Sequence, residues 1–173
     1  MSITPPQAIL IGLTYYLANT AFLGGLAYFT TWRPLVNGLI VGLILGDPLQ
    51  GALIGAAINV LYLGYMSVGG TLGIGDAALA GILGSAVGIA TRSEGLGILA
   101  GVALASLGYQ LLIWRMKGDS AIARRIDAAA ARGDVKRMQL WHIGVAQLWL
   151  FALTVPAAAA LAYATPLLLA RLI

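Results

Sequence analysis

Leu35-Val36-Asn37-Gly38-Leu39-Ile40-Val41-Gly42-Leu43-Ile44-Leu45-Gly46 runs into Asp47-Pro48-Leu49-Gln50, and a second apolar run then extends from Gly51 to Val68. The first run has about twelve residues, which as a helix reach roughly 18 Å. A hydrocarbon core is about 30 Å thick, so this piece is too short to cross it. Short apolar pieces interrupted by Gly and Pro are how broken or re-entrant helices read in transporters. Gly38, Gly42 and Gly46 recur at every fourth residue, as do Gly51 and Gly55. Small residues at that spacing flatten one helix face, either for tight packing or to let another backbone approach closely.

The rest of the chain has the same character. Of its 173 residues 60% are hydrophobic and 9% charged, and the mean hydropathy is +0.92. A soluble domain carries roughly 25% charged residues. The composition therefore predicts an all-α, polytopic integral membrane protein forming one domain over residues 1–173. Before the broken pair, an apolar run extends from about Gln7 to Phe29, preceded by Pro5 and Pro6, residues accepted where a helix starts. After it, the glycine-rich Gly69–Gly75 break leads through Asp76 into a run from Ala77 to Ala90. Leu96 to Trp114 is a full span closed by an interfacial Trp and Arg115. A last span runs from about Gln139 to Leu161, and the Leu167–Ile173 piece beyond Pro166 is too short to cross.

Between the last two spans lies a stretch of another kind. Seven of the ten basic residues fall between Arg115 and Arg137. Asp119 or Ser120 is placed to cap an Ala-rich helix ending at Gly133, and Asp134 to cap a continuation toward the membrane. Excess Lys and Arg in a short loop marks the cytoplasmic side and suits an anionic leaflet, so a cytoplasmic helical loop is expected at about 115–138. The net charge of +4 is thereby a matter of topology and not a nucleic-acid signal. No cysteine is present, which excludes disulfides and thiolate metal sites.

Polar side chains in apolar runs are costly and point to function or to interhelical bonds. Here they are Gln7, Asn19, Asn37, Asp47, Asn59, Asp76, Gln110, His142 and Gln147. Asn59 is read either as a ligand contact, with Tyr62 and Tyr65 on neighbouring positions, or as an interhelical strut. Asp47 and Asp76 are helix caps by position, and Asp76 is also a ligand candidate because broken-helix termini hold polar substrate groups in transporters. Asn59 and Asp76 flank the Gly69–Gly75 break and are expected to share one polar cavity near the membrane midplane. His142, the only histidine, is expected to bond a neighbouring helix. Walker A loops, nucleophile–His–carboxylate sets, paired carboxylates and metal clusters are absent, so no enzyme chemistry, cofactor or metal is expected.

The Arg33–Asp47 block, Gly51-Ala52-Leu53-Ile54-Gly55-Ala56, Leu63-Gly64-Tyr65, Gly69–Ala80, Asp127–Gly133 and His142 together resemble mannose/sorbose-type phosphotransferase IIC membrane subunits. The resemblance covers about Gln7 to Pro156. It implies a permease subunit in a bacterial cytoplasmic membrane, forming the path for a hexose or amino sugar, with Gln7, Asn59 and Asp76 as sugar contacts. It also implies a IID-type membrane partner in a trimer of IIC–IID pairs, and phosphate supplied by separate IIA and IIB proteins through phosphohistidines. Family members usually carry Glu or Gln where this chain has Asn59, and they run well beyond residue 173, so the chain reads as shortened at its C-terminus. The alternatives are a truncated IIC-like scaffold, or a substrate-binding membrane module of a transporter driven by another energy source.

Overall fold

Ala77 to Ala90 are buried without a break, so the helix they form, named here α4 (Ala77–Thr91), is enclosed on every side. A helix apolar all round is stable only inside a protein or a membrane bundle, and in the computed structural model of this chain the other helices enclose it. The structure describes residues 2–20, 22, 30–63 and 75–172. They form α1 (Pro5–Asn19), α2 (Pro34–Leu45), α3 (Pro48–Leu61), α4, α5 (Glu94–Ala130), α6 (Val135–Gln139), a π-helical segment (Leu140–Val145) and α7 (Ala146–Leu172). The described residues include no strand. Phe29 with its six predecessors, Tyr65 and most of the Gly69–Gly75 break lie outside the described residues.

The broken pair folds as a tight antiparallel hairpin. Gly46 takes a left-handed conformation (φ 84°) that closes α2, and the Asp47 carboxylate accepts from the Gln50 N–H at 3.1 Å to start α3. Gly38 lies opposite Gly51 and Gly55, and a Cβ on Gly42 would sit 2.6 Å from the Asp47 carbonyl oxygen. The glycine stripe is thus backbone against backbone, and only hydrogen atoms fit between the helices.

The same device is repeated. Adding 46 to Gly38, Gly42, Gly51 and Gly55 gives Gly84, Gly88, Gly97 and Gly101, which line the contact between α4 and α5. At the second turn Arg92 is left-handed (φ 55°) where Gly46 stands in the first, and Ser93 caps α5 through the Leu96 N–H where Asp47 caps α3. The two hairpins lie side by side in the same direction, for Pro34 meets Gly81, Gly38 meets Ser85, and Ser85 Oγ donates to the Gly51 carbonyl at 3.2 Å. Their tips are joined by Gln50 Nε2 donating to Glu94 Oε1 at 2.9 Å.

α1 and α7 pack along the other side. Tyr16 and Thr20 both donate to Gln147 Oε1, at 3.0 and 2.9 Å, and Gly12 lies against the Val155 carbonyl. Two helices are long and apolar enough to cross a membrane, Glu94–Ala130 and the continuous Val135–Leu169. Only 22% and 28% of their most apolar windows are buried, which distinguishes them from core helices of a soluble protein. Leu43, Leu53, Val60, Leu99, Leu148 and Leu168 are among the many large apolar side chains left exposed, a surface that water would not tolerate and lipid or a membrane partner would. The chain is an integral membrane protein of helices.

Several boundaries differ from those expected. α1 stops at Asn19, with Thr20 extended, and does not run on to Phe29 as one helix. No new helix begins at Asp119 or Ser120: α5 continues through them for 37 residues, because Asp119 pairs with Arg115 one turn back (3.5 Å) rather than capping. Asp134 does cap, accepting from the Arg137 N–H at 3.0 Å. α7 passes through both Pro156 and Pro166. A proline frees one carbonyl of the turn before it, a smaller loss in a membrane than ending the helix there.

Candidate functional site

The beginning of α4 is where polar groups converge. Asp76 caps that helix, its Oδ1 accepting from the Leu79 N–H at 3.0 Å. Its own N–H donates to the Ala105 carbonyl at 3.0 Å, and Gly108 on α5 leaves room for its side chain. The second carboxylate oxygen accepts from the Tyr15 hydroxyl of α1 at 2.7 Å. One turn further along α1, Asn19 Nδ2 donates to the Tyr15 carbonyl (3.1 Å), and Asn19 Oδ1 accepts from Arg115 Nη1 (3.3 Å). Arg115 is held from behind by Asp119, and its carbonyl accepts from the Trp149 indole at 3.4 Å.

This network borders a cavity of about 230 Å³. Asp76, Tyr15, Asn19, Arg115 and Thr154 supply polar groups to its wall, and Trp32 and Tyr109 supply aromatic surface. Pockets for drug-sized ligands measure roughly 300–1,000 Å³, so this one is sized for a single small ring. Its chemistry combines a carboxylate acceptor, an amide, a hydroxyl and a guanidinium donor with aromatic faces, which suits a ligand rich in hydroxyl groups. The described residues include no cluster of potential metal ligands.

Of the three expected contacts, Asp76 lines this cavity and the other two sit elsewhere. Gln7 belongs to the first turn of α1, where its Oε1 accepts from the Thr4 N–H (3.0 Å) and hydroxyl (2.9 Å) as half of a capping box. Its Nε2 donates to the Ile44 carbonyl at 3.3 Å, near the tip of the first hairpin. That is two turns along α1 from Tyr15, about 12 Å away. Asn59 is partly buried on the last turn of α3, between Ile58 and Tyr62, whose side chains pack with Ala77 and Ala105. It is not among the residues lining the cavity with Asp76. His142 is exposed on the π-helical segment.

Tyr15, Trp32, Tyr109 and Arg115 were missed as site residues. The glycines carried only the signal of the contact between the start of α4 and α5, where Gly75 lies against Ala105 and Gly108 against Asp76.

The family of PTS system sorbose-specific IIC components matches residues 6–172. The chain belongs to this family. Among its relatives, the mannose-specific EIIC component of Escherichia coli (strain K12) is 31% identical over 158 residues, covering 91% of this chain and 58% of its own length. The fructose permease IIC component of Bacillus subtilis (strain 168) is 35% identical over 115 residues, 65% of this chain and 42% of its own. The sorbose-specific EIIC component of Lacticaseibacillus casei is 26% identical over 168 residues, 96% and 59% respectively. The solved complex of the mannose transporter ManYZ with microcin E492 contains a chain of similar fold, with a TM-score of 0.80 and 29% identity over 94% of this chain and 64% of that one. This IIC chain thus spans less than two thirds of the length of these relatives.

Proposed function

We propose that this IIC chain is the permease subunit of a bacterial sugar phosphotransferase system, and that the cavity at the start of α4 takes a hexose or amino sugar. The observation that carries the reading is the pairing of Asp76, Tyr15, Asn19 and Arg115 with the aromatic surfaces of Trp32 and Tyr109 around one space of monosaccharide size. Asp76 accepts from sugar hydroxyls, and Asn19 and Arg115 donate. Gln7 and Asn59 support the hairpin unit in this reading. The chain transports and does not catalyse: phosphate comes from separate IIA and IIB proteins. A IID-type membrane subunit covers the exposed apolar faces, in a trimer of IIC–IID pairs.

In this reading the chain crosses a bacterial cytoplasmic membrane with its basic end inside. α5 reaches its basic end 21 residues after Glu94, at Trp114 and Arg115, about 31 Å along the helix axis. Arg33 and the cavity lie toward that end and the two hairpin tips toward the other, so the cavity opens on the cytoplasmic third of a multi-pass domain. A cysteine at Ala131, exposed beyond the end of α5, is expected to resist impermeant thiol reagents in intact cells and to react once the cells are opened. Labelling from outside contradicts the topology.

Binding tests the site. Tyr15→Phe removes one hydrogen bond to Asp76 while keeping the buried ring, at an expected cost of about 1–3 kcal/mol in sugar affinity with assembly intact. Calorimetric titration of mannose, fructose and sorbose into the detergent-purified complex reads it. Unchanged affinity for whichever sugar binds removes Tyr15–Asp76 from the site. Mass spectrometry of what co-purifies tests the partners, and an ATPase in place of a IID-type subunit contradicts the phosphotransferase reading.

A further inference from the structure

We propose that Asn37 is a positioning residue that fixes the Trp32 indole at the cavity wall, an inference that rests on the cavity being the sugar site. Asn37 has no exposed surface, which is unusual for an amide on a membrane helix. Its Nδ2 donates to the Thr31 carbonyl at 2.7 Å. A carbonyl accepts only from a donor, so the amide orientation is fixed by that bond. This leaves Asn37 Oδ1 buried with no partner among the described residues, an arrangement that costs stability and serves no purpose in packing alone.

The bond holds something specific. The Thr31 carbonyl belongs to the peptide unit that leads into Trp32, so the amide pins the backbone plane from which the indole projects. The same short turn is closed by the Arg33 N–H on the Thr30 carbonyl (2.9 Å) and tied to α1 by Thr31 Oγ1 on the Leu17 carbonyl (3.4 Å). Trp32 packs against both core clusters and lines the cavity with Asp76. The second hairpin supplies the control, for the position 46 residues on is Leu83, also fully buried. The hairpin architecture accepts a branched apolar side chain there. The amide in the first hairpin serves the Thr30–Arg33 turn before it, whereas the equivalent positions of the second hairpin, 76–79, are already the cap and first turn of α4.

The test uses the purified complex labelled with 5-fluorotryptophan, whose four indole signals are assigned by Trp→Phe variants and followed by 19F NMR. Asn37→Leu, nearly isosteric, is expected to shift or broaden the Trp32 signal and leave Trp114, Trp141 and Trp149 in place. Affinity for the sugar that binds, among mannose, fructose and sorbose, is expected to fall about tenfold, the same loss expected for Trp32→Ala. Four unchanged signals overturn the proposal. Asn37→Ala, which only removes atoms, is run beside it, and movement of all four signals in both variants makes Asn37 a general packing residue and also overturns it. A Trp32 signal that moves with no change in affinity upholds the positioning role and sinks the sugar-site reading instead, which Asp76→Ala tests independently.

Discussion

Gly42→Leu is expected to remove the protein from the membrane fraction. A Cβ at position 42 would lie 2.6 Å from the Asp47 carbonyl oxygen and 2.8 Å from Pro48 Cα. Both are backbone atoms in the cap of α3, held by the Asp47–Gln50 bond and by the left-handed Gly46, so neither can retreat without opening the hairpin. Overpacking a core typically costs about 1–3 kcal/mol where side chains can yield, and here the cost exceeds that range because none can. The symmetric position gives a graded comparison. At Gly88 the obstacle is the far end of the Ile54 side chain, which can turn away, so Gly88→Ala is expected to be milder than Gly42→Ala. Gly95, with nothing within 4 Å, accepts Ala without loss. Immunoblots of membrane fractions and melting in detergent rank the three. Normal accumulation of Gly42→Leu places that face against lipid and refutes the hairpin packing.

Asp76→Ala is expected to abolish detectable sugar binding. It removes the acceptor for the Tyr15 hydroxyl, the α4 cap and the carboxylate of the cavity wall together. Loss of a cap alone costs about 1 kcal/mol, and loss of a hydrogen bond to a charged acceptor about 1.5–3 kcal/mol more. Asp76→Asn separates the two effects. It retains an oxygen for the Leu79 N–H, so assembly is expected to survive, while sugar affinity falls tenfold or more. Size-exclusion profiles follow assembly and titration calorimetry follows binding. An Asp76→Asn complex that binds sugar as the parent does limits the residue to capping.

The membrane class and the broken pair of helices were legible because they depend on composition and on local breakers, Gly46, Asp47 and Pro48, whose effects do not wait on tertiary structure. The caps at Asp47, Asp76 and Asp134 were legible for the same reason. The 46-residue repeat was also in the letters. It escaped notice because the second turn uses Arg92 and Ser93, which look like a loop, where the first uses Gly46 and Asp47. The cavity was less legible. Asp76 stood out as a carboxylate between apolar runs, but its partners Tyr15 and Arg115 come from α1 and α5, and nothing short of the packing of α1 on α4 brings them together. Gln7 was ambiguous in sequence, because a polar residue near the start of an apolar helix serves a capping box and a ligand equally well on paper, and its place in the capping box comes from the fold. Asn59 was ambiguous in the same way, since a mid-helix amide serves an interhelical bond or a ligand equally well.

The absence of cysteine permits a direct test of the central claim, that the cavity at Asp76 is where sugar sits. A cysteine is placed at Leu112, on the cavity wall, or at Asn59, off it, and the rate of alkylation by a small thiol reagent is measured in the purified complex with and without saturating sugar. Sugar is predicted to slow alkylation at position 112 at least tenfold and to leave position 59 unchanged. Protection at 59 with none at 112 contradicts the account.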